Sequence, residues 1–169
     1  MGIGENNKRE NGDSNRKKEI NRAIDYLYRI LSKKDYTEKE LIMKLKRKNF
    51  SSAVIAEIVK FAKEEGYIDD MNYAERFIKD TINLKKKGPA WIRFHLYRKG
   101  IKSETIDSLL EKYKENIKKT LKELYPYAIK RYSNFSQNER KRKIWNYLTS
   151  RGFYSEDIKE VLSVESQRD

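Results

Sequence analysis

Apolar residues recur along this chain at helical spacing, and they recur in matching sets. Leu41 and Leu45 stand one turn apart on a helix face, as do Ile92 and Leu96, and Ile144 and Leu148. Aligning the sets on Leu45, Leu96 and Leu148 brings further apolar columns into register. They are Phe50, Ile101 and Phe153; Ile55, Ile106 and Ile158; Ile58, Leu109 and Val161; and Val59, Leu110 and Leu162. The three copies read "LKRKNFSSAVI", "LYRKGIKSETI" and "LTSRGFYSEDI", with spacings of 51 and 52 residues. A fixed period of that size marks a repeated structural unit.

Each copy reads as the end of one helix, a tight turn, and the start of another. Asn49, Gly100 and Gly152 stand where a left-handed residue ends a helix. Ser52, Ser103 and Ser155 precede the second apolar stripe and are expected to be N-caps. The first helix of the pair also has marked starts. "TEKE" from Thr37 to Glu40 and "SQNE" from Ser136 to Glu139 are capping boxes. In the middle copy Pro89 takes the first helical position, where its missing N–H costs nothing. Upstream of each copy lies another amphipathic segment, over 19–32, 71–86 and 115–132. Pro126 falls inside the last of these and is expected to kink or break it.

The pattern therefore predicts an all-α fold of three tandem three-helix modules forming an elongated repeat protein. The modules are placed at 19–69, 70–114 and 115–169, with residues 1–18 expected to be a disordered polar tail. A unit of about 50 residues is marginal alone, so stacking on a neighbour should help it.

Charge adds a second regularity. The chain carries a net charge of +13, which favours acidic partners, nucleic acid first among them. The charge is sorted by helix. Residues 37–48 are net +3, 89–99 net +3 and 136–151 net +4, whereas 52–65, 103–113 and 155–162 are net −1, −2 and −2. The candidate contact residues for a partner or DNA are therefore the cations of the basic helices. These are Lys44, Lys46, Arg47 and Lys48; Arg93, Arg98 and Lys99; and Arg140, Lys141, Arg142, Lys143 and Arg151. The column Lys48, Lys99 and Arg151 has a second explanation, because a cation in a last turn stabilises the helix dipole.

Other chemistries find little material. There is no cysteine and one histidine, so disulfides, thiolate chemistry and a histidine-based metal site or triad lack residues. His95 is expected to be a surface or boundary residue. Glu64, Glu65, Asp69 and Asp70 in "KEEGYIDD" could suggest a metal-dependent nuclease. They read better as turn chemistry, with Gly66 ending one helix and Asp70 capping the next. No phosphate loop is present, and no cofactor is expected. Trp91 and Trp145 on the basic helices are expected to pack between helices, with stacking on bases the alternative. No apolar run approaches a membrane span. The N-terminal "MGIGENNKRENGDSNRKKE" has no apolar core of a secretory signal, so a cytoplasmic location is expected.

"TEKELIMKLKRKNF", "EEGYIDDMNYAERFI" and "KKKGPAWIRFHLYRKGI" together resemble the RecX family. The features carrying the resemblance are Glu40 and Leu41, Gly66 to Asp70, Tyr73 with Ala74, Lys87 with Gly88, and Lys99 to Ile101. The third copy's "YLTSRGF" is similar to the family's last repeat, and the likeness spans roughly residues 20 to 163. The junction "KYKENIKKTLKELYPYA" departs from it by lacking the Gly-Tyr-Asp-Asp turn. The resemblance implies a non-enzymatic regulator of RecA, the bacterial recombinase that forms helical filaments on DNA. It implies inhibition of RecA's ATPase, strand exchange and coprotease activities, in DNA repair and the SOS response. The implied partners are RecA and the RecA–DNA filament, with direct DNA contact open, no membrane, and a monomeric protein. The alternative is an independent DNA-binding protein that uses the basic helices as helix-turn-helix-like readers.

Overall fold

The computed structural model describes the backbone of residues 4–165 and the side chains of residues 14–163. Among the described residues there are helices and no strand. The order is α1 (Gly4–Leu31), α2 (Glu38–Arg47), α3 (Ser52–Glu64), α4 (Asp70–Asp80), α5 (Pro89–Arg98), α6 (Ser103–Lys112), α7 (Lys114–Arg131), α8 (Gln137–Ser150) and α9 (Ser155–Glu165). A π-helical turn, Thr81–Lys85, continues α4. Three consecutive groups of three helices make three tandem three-helix modules.

The repeated apolar columns form the cores. Leu41, Leu45, Ile92, Leu96, Ile144 and Leu148 are buried, as are Ile55, Ile106 and Ile158. The turn between the paired helices is the same Schellman motif three times. Asn49, Gly100 and Gly152 have φ of 58°, 90° and 90°. The amides of Phe50, Ile101 and Phe153 donate back to the carbonyls of Leu45, Leu96 and Leu148 at 3.4, 3.1 and 3.3 Å. This explains why the position after the left-handed residue is always apolar, since it must pack on the helix it has just left.

The helix α1 starts at Gly4, inside the 1–18 stretch, and residues 1–3 lie outside the described residues. Arg16 in that stretch pairs with Glu57 of α3 at 2.8 Å, and Lys, Arg and Glu are good helix formers. The serine column sits one residue inside each helix. Ser51 caps α3, accepting from Val54 N–H at 3.4 Å, and α6 begins after Lys102 with no side-chain cap bond. Asp69, not Asp70, caps α4 by accepting from Asn72 N–H at 2.9 Å. Finally, α7 runs through Pro126 without breaking. A proline in mid-helix costs about 3 kcal/mol, and burial of Leu121, Leu124, Tyr125 and Ala128 around it keeps the helix whole.

The chain divides into two compact units, Met1–Tyr73 and Ala74–Asp169. The first holds its own core, in which α1 and α2 both pack on α3. In the second, the middle and last modules share one body. There α7 packs on α6, the π turn, α8 and α9. The start of α5 is bonded to the turn after α8. Gly88 N–H donates to the Arg151 carbonyl at 2.8 Å, and Ala90 N–H to the Gly152 carbonyl at 2.9 Å.

Candidate partner interface

In α2 the capping box closes as read, with Glu40 N–H donating to the Thr37 hydroxyl and Thr37 N–H to the Glu40 carboxylate, both at 3.3 Å. Leu41 and Leu45 turn inward from that start, which leaves Lys46 and Arg47 exposed. Lys44 is half-buried with its Nζ 5.0 Å from the Tyr36 ring centre. Lys48 is the C-cap, with its Nζ 5.8 Å over the Tyr26 ring.

In α5 the inward residues are Ile92 and Leu96. Arg93 lies half-buried and ion-paired with Asp107 of α6, and it also bonds Tyr154. Both bonds raise its pKa, the Tyr154 hydrogen bond most. Arg98 is exposed, with its guanidinium 5.5 Å from the Phe94 ring centre, and Lys99 is the C-cap. In α8 Lys141 and Arg142 are exposed, and Lys143 lies 4.2 Å over the Phe135 ring. The second capping box forms differently from the first, since the Ser136 hydroxyl donates directly to the Glu139 carboxylate at 2.7 Å.

Arg140 and Arg151 are committed to the fold. Arg140 Nη2 donates to the Ser133 and Phe135 carbonyls at 2.9 and 3.1 Å, tying down the loop before α8. Arg151 Nη1 donates to the Lys85 and Lys86 carbonyls at 2.9 and 3.1 Å, closing the end of the π turn. The repeated basic column Lys48, Lys99 and Arg151 falls on the C-caps of α2, α5 and α8. A cation at that place stabilises the helix dipole.

The acidic turn is used structurally. The Asp70 carboxylate accepts from Glu38 N–H, at the head of α2, at 2.9 Å, and burial pushes its pKa up. Among the described residues no group of three or more His, Cys, Asp or Glu is disposed to hold a metal ion. His95 packs its ring 3.7 Å from that of Trp91, centre to centre. Burial holds its pKa below the ordinary 6.5, and Arg98, Lys85, Lys87 and Lys99 push the same way. Trp91 also lies parallel to Phe77, at 3° and 6.0 Å.

Sequence reasoning missed two features. The first is cations outside the basic helices that sit over rings: Arg22 and Arg29 in α1, Lys85 and Lys87 near Trp91, and Arg131 near Tyr147. A signal existed, because Tyr26, Phe77 and Tyr127 occupy matching places in the first helix of each module. The second is an open groove of about 570 Å³ between α2 and α3. Ile42, Ile55, Ala56 and Val59 floor it, and Lys46, Lys60 and Lys63 line it as well.

Comparison with known proteins assigns the modules. Residues 20–61 match the first three-helix domain of RecX, residues 69–110 the second, and residues 111–162 the third. The chain belongs to the RecX family. It is 32% identical to the regulatory protein RecX of Clostridium acetobutylicum, over 82% of this chain and 74% of that one. It is 30% identical to that of Chlorobium phaeobacteroides, over 83% of this chain and 91% of that one. The crystal structure of RecX from Lactobacillus salivarius superposes with a TM-score of 0.81 at 26% identity, covering 86% of this chain and 96% of the other. The relatives carry the name of regulatory proteins, and this chain holds the three RecX domains in order. No described helix is long and apolar enough to cross a membrane.

Proposed function

We propose that this RecX chain regulates RecA by binding the RecA–DNA filament and lowering its ATPase, strand-exchange and coprotease activities. The observation that carries the reading is the ordered match of all three modules to RecX domains. The surface supports it. Exposed cations on α2 and α8 suit a polyanionic filament. The α2–α3 groove suits a protein surface, with an apolar floor and lysines among its lining. The modules at 19–69 and 115–169 would each supply a cationic face to a target that repeats, with the module at 70–114 joining them in sequence. The candidates with their charge outward are Lys46, Arg47, Lys141 and Arg142. Arg93, Arg140 and Arg151 are instead assigned to holding the fold.

The test is RecA ATPase and strand exchange on single-stranded DNA with this protein added. Both rates should fall at stoichiometric ratios, and unchanged rates would remove the proposal. Reversing Lys46, Arg47 and Lys48 to glutamate changes the charge of one helix end by about six. Inhibition should then weaken at least tenfold while helicity survives, and full inhibition at physiological salt would exclude α2 as a contact face.

A further inference from the structure

The first module contains an open cavity of about 330 Å³ beside α1, lined by Arg22, Asp25, Tyr26, Arg29, Lys48 and Phe50. Its floor is aromatic. Tyr26 and Phe50 are half-buried against the core, with ring centres 6.2 Å apart. Three cations hang over these rings. Arg29 and Lys48 lie 5.2 and 5.8 Å from the Tyr26 ring centre, and Arg22 lies 5.9 Å from that of Phe50. Asp25 is the one acid in the lining, so the cavity is net positive.

The first ring of the arrangement recurs in each module, while its partner ring comes from a different position each time. Tyr26 precedes buried Leu27, Phe77 precedes buried Ile78, and Tyr127 precedes buried Ala128. Each ring meets a second ring: Phe50, Trp91 and Tyr147 respectively, at 6.2, 6.0 and 6.3 Å. Cations stand over each pair, Lys85 over Phe77 at 5.5 Å and Arg151 over Tyr147 at 5.0 Å. In the second module Trp91 lies flat against Phe77. In the first, a cavity stands beside the rings.

We propose that this cavity binds one nucleotide of single-stranded DNA, with its base against Tyr26 and Phe50 and its phosphates against Arg22, Arg29 and Lys48. The inference rests on the filament reading for the place where a single strand would be met. Several considerations select this ligand. A cavity near 330 Å³ is at the small end of ligand sites, which run from about 300 to 1,000 Å³, and admits a base but no helix. Duplex DNA keeps its base faces stacked and cannot offer one to a ring. An acidic peptide would satisfy the cations but would leave rings and guanidinium planes without a flat partner.

The experiment is fluorescence anisotropy of the full chain with a labelled single-stranded oligothymidylate, with duplex DNA of equal length and polyglutamate as competitors. The single strand should bind best. Tyr26→Leu should weaken it about fivefold or more, whereas Tyr26→Phe, which keeps the ring, should restore it. The triple variant Arg22→Gln, Arg29→Gln, Lys48→Gln leaves the floor intact and should lower the salt slope by about 2. Wild-type affinity in both Tyr26→Leu and the triple variant would overturn the proposal. So would duplex or polyglutamate competing as well as the single strand. RecA ATPase measured alongside separates the two readings. Ring-dependent strand binding without any effect on RecA keeps the cavity and ends the filament reading. Inhibition of RecA without ring-dependent strand binding does the reverse.

Discussion

Replacing Gly88 by alanine tests how the second and third modules are joined. Gly88 has φ −87°, a conformation open to any residue, so the added methyl is the only perturbation. Its Cβ would lie 2.4 Å from the carbonyl carbon and oxygen of Gly152 and from the amide nitrogen of Phe153. All three are backbone atoms, and they cannot rotate away. Carbon contacts settle at about 3.5–4.0 Å, so the start of α5 and the turn after α8 must part by about 1 Å or more. That separation breaks the bonds from Gly88 to Arg151 and from Ala90 to Gly152, and it pulls Arg151 from the Lys85 and Lys86 carbonyls. Two backbone bonds at about 1 kcal/mol each, and the shared Arg151 Nη1 contact taken as one charged bond at about 1.5–3 kcal/mol, give an expected loss of about 3.5–5 kcal/mol. Native-state hydrogen exchange with urea titration reads the effect locally. The amides of Gly88 and Ala90 should lose protection, while buried amides of α2 and α3, in the other compact unit, should keep theirs. A loss below about 1 kcal/mol with both amides still protected would refute the reasoning.

Three other outcomes are expected. Glu75 is held at about 2, below its ordinary 4.5, by a hydrogen bond from Tyr113 and then by Lys112 and Lys79. A depressed carboxylate stabilises the fold above its unfolded pKa and loses that contribution as pH falls toward its folded one. Acid unfolding of Glu75→Gln should therefore show a flatter pH dependence between about 4.5 and 2 than the parent; equal slopes would deny Glu75 the role. His95, the one histidine, gives an unambiguous NMR titration. Its midpoint should lie below 6.5, so the fold loses stability as pH drops through 6.5 and the unfolded chain gains a proton. A midpoint above 6.5 would contradict the burial of the ring against Trp91. Pro126→Ala should raise the stability of the second compact unit by up to about 3 kcal/mol, because the helix regains an amide donor where it already runs unbroken. A destabilised variant would show that α7 depends on the proline's shape.

Much of the fold was legible because the repeat is a packing pattern. Leu41, Leu45, Ile55 and Ile58 lie at helical intervals, and a face that must be buried writes its period into the sequence. The left-handed turns were legible for a similar reason, since Asn49, Gly100 and Gly152 occupy a conformation that most residues avoid. The caps were displaced by one residue. Ser51 stands beside Ser52, and Asp69 beside Asp70, so either member of each pair could serve. Which one does depends on where the helix axis enters. The π turn at Thr81–Lys85 had no sequence mark.

The candidate interface was less legible, because charge in a sequence does not say what it touches. Arg151 reaches carbonyls 65 and 66 residues away, and Arg93 is engaged by Asp107 on the next helix. Both looked like surface cations. Lys46, Arg47, Lys141 and Arg142 are exposed. The clustering of Arg22 and Arg29 with Lys48 over Tyr26 and Phe50 escaped notice because the three come from two separate segments, α1 and the end of α2.

The proposed regulation requires that this RecX chain adhere to RecA filaments through cationic faces. Co-sedimentation with RecA assembled on single-stranded DNA, at rising salt, measures that adhesion directly. The account predicts saturable binding at low salt that weakens steadily as salt is raised, and far less binding to the same DNA without RecA. Absence from the filament pellet at low salt, or equal recovery with bare DNA, would contradict it.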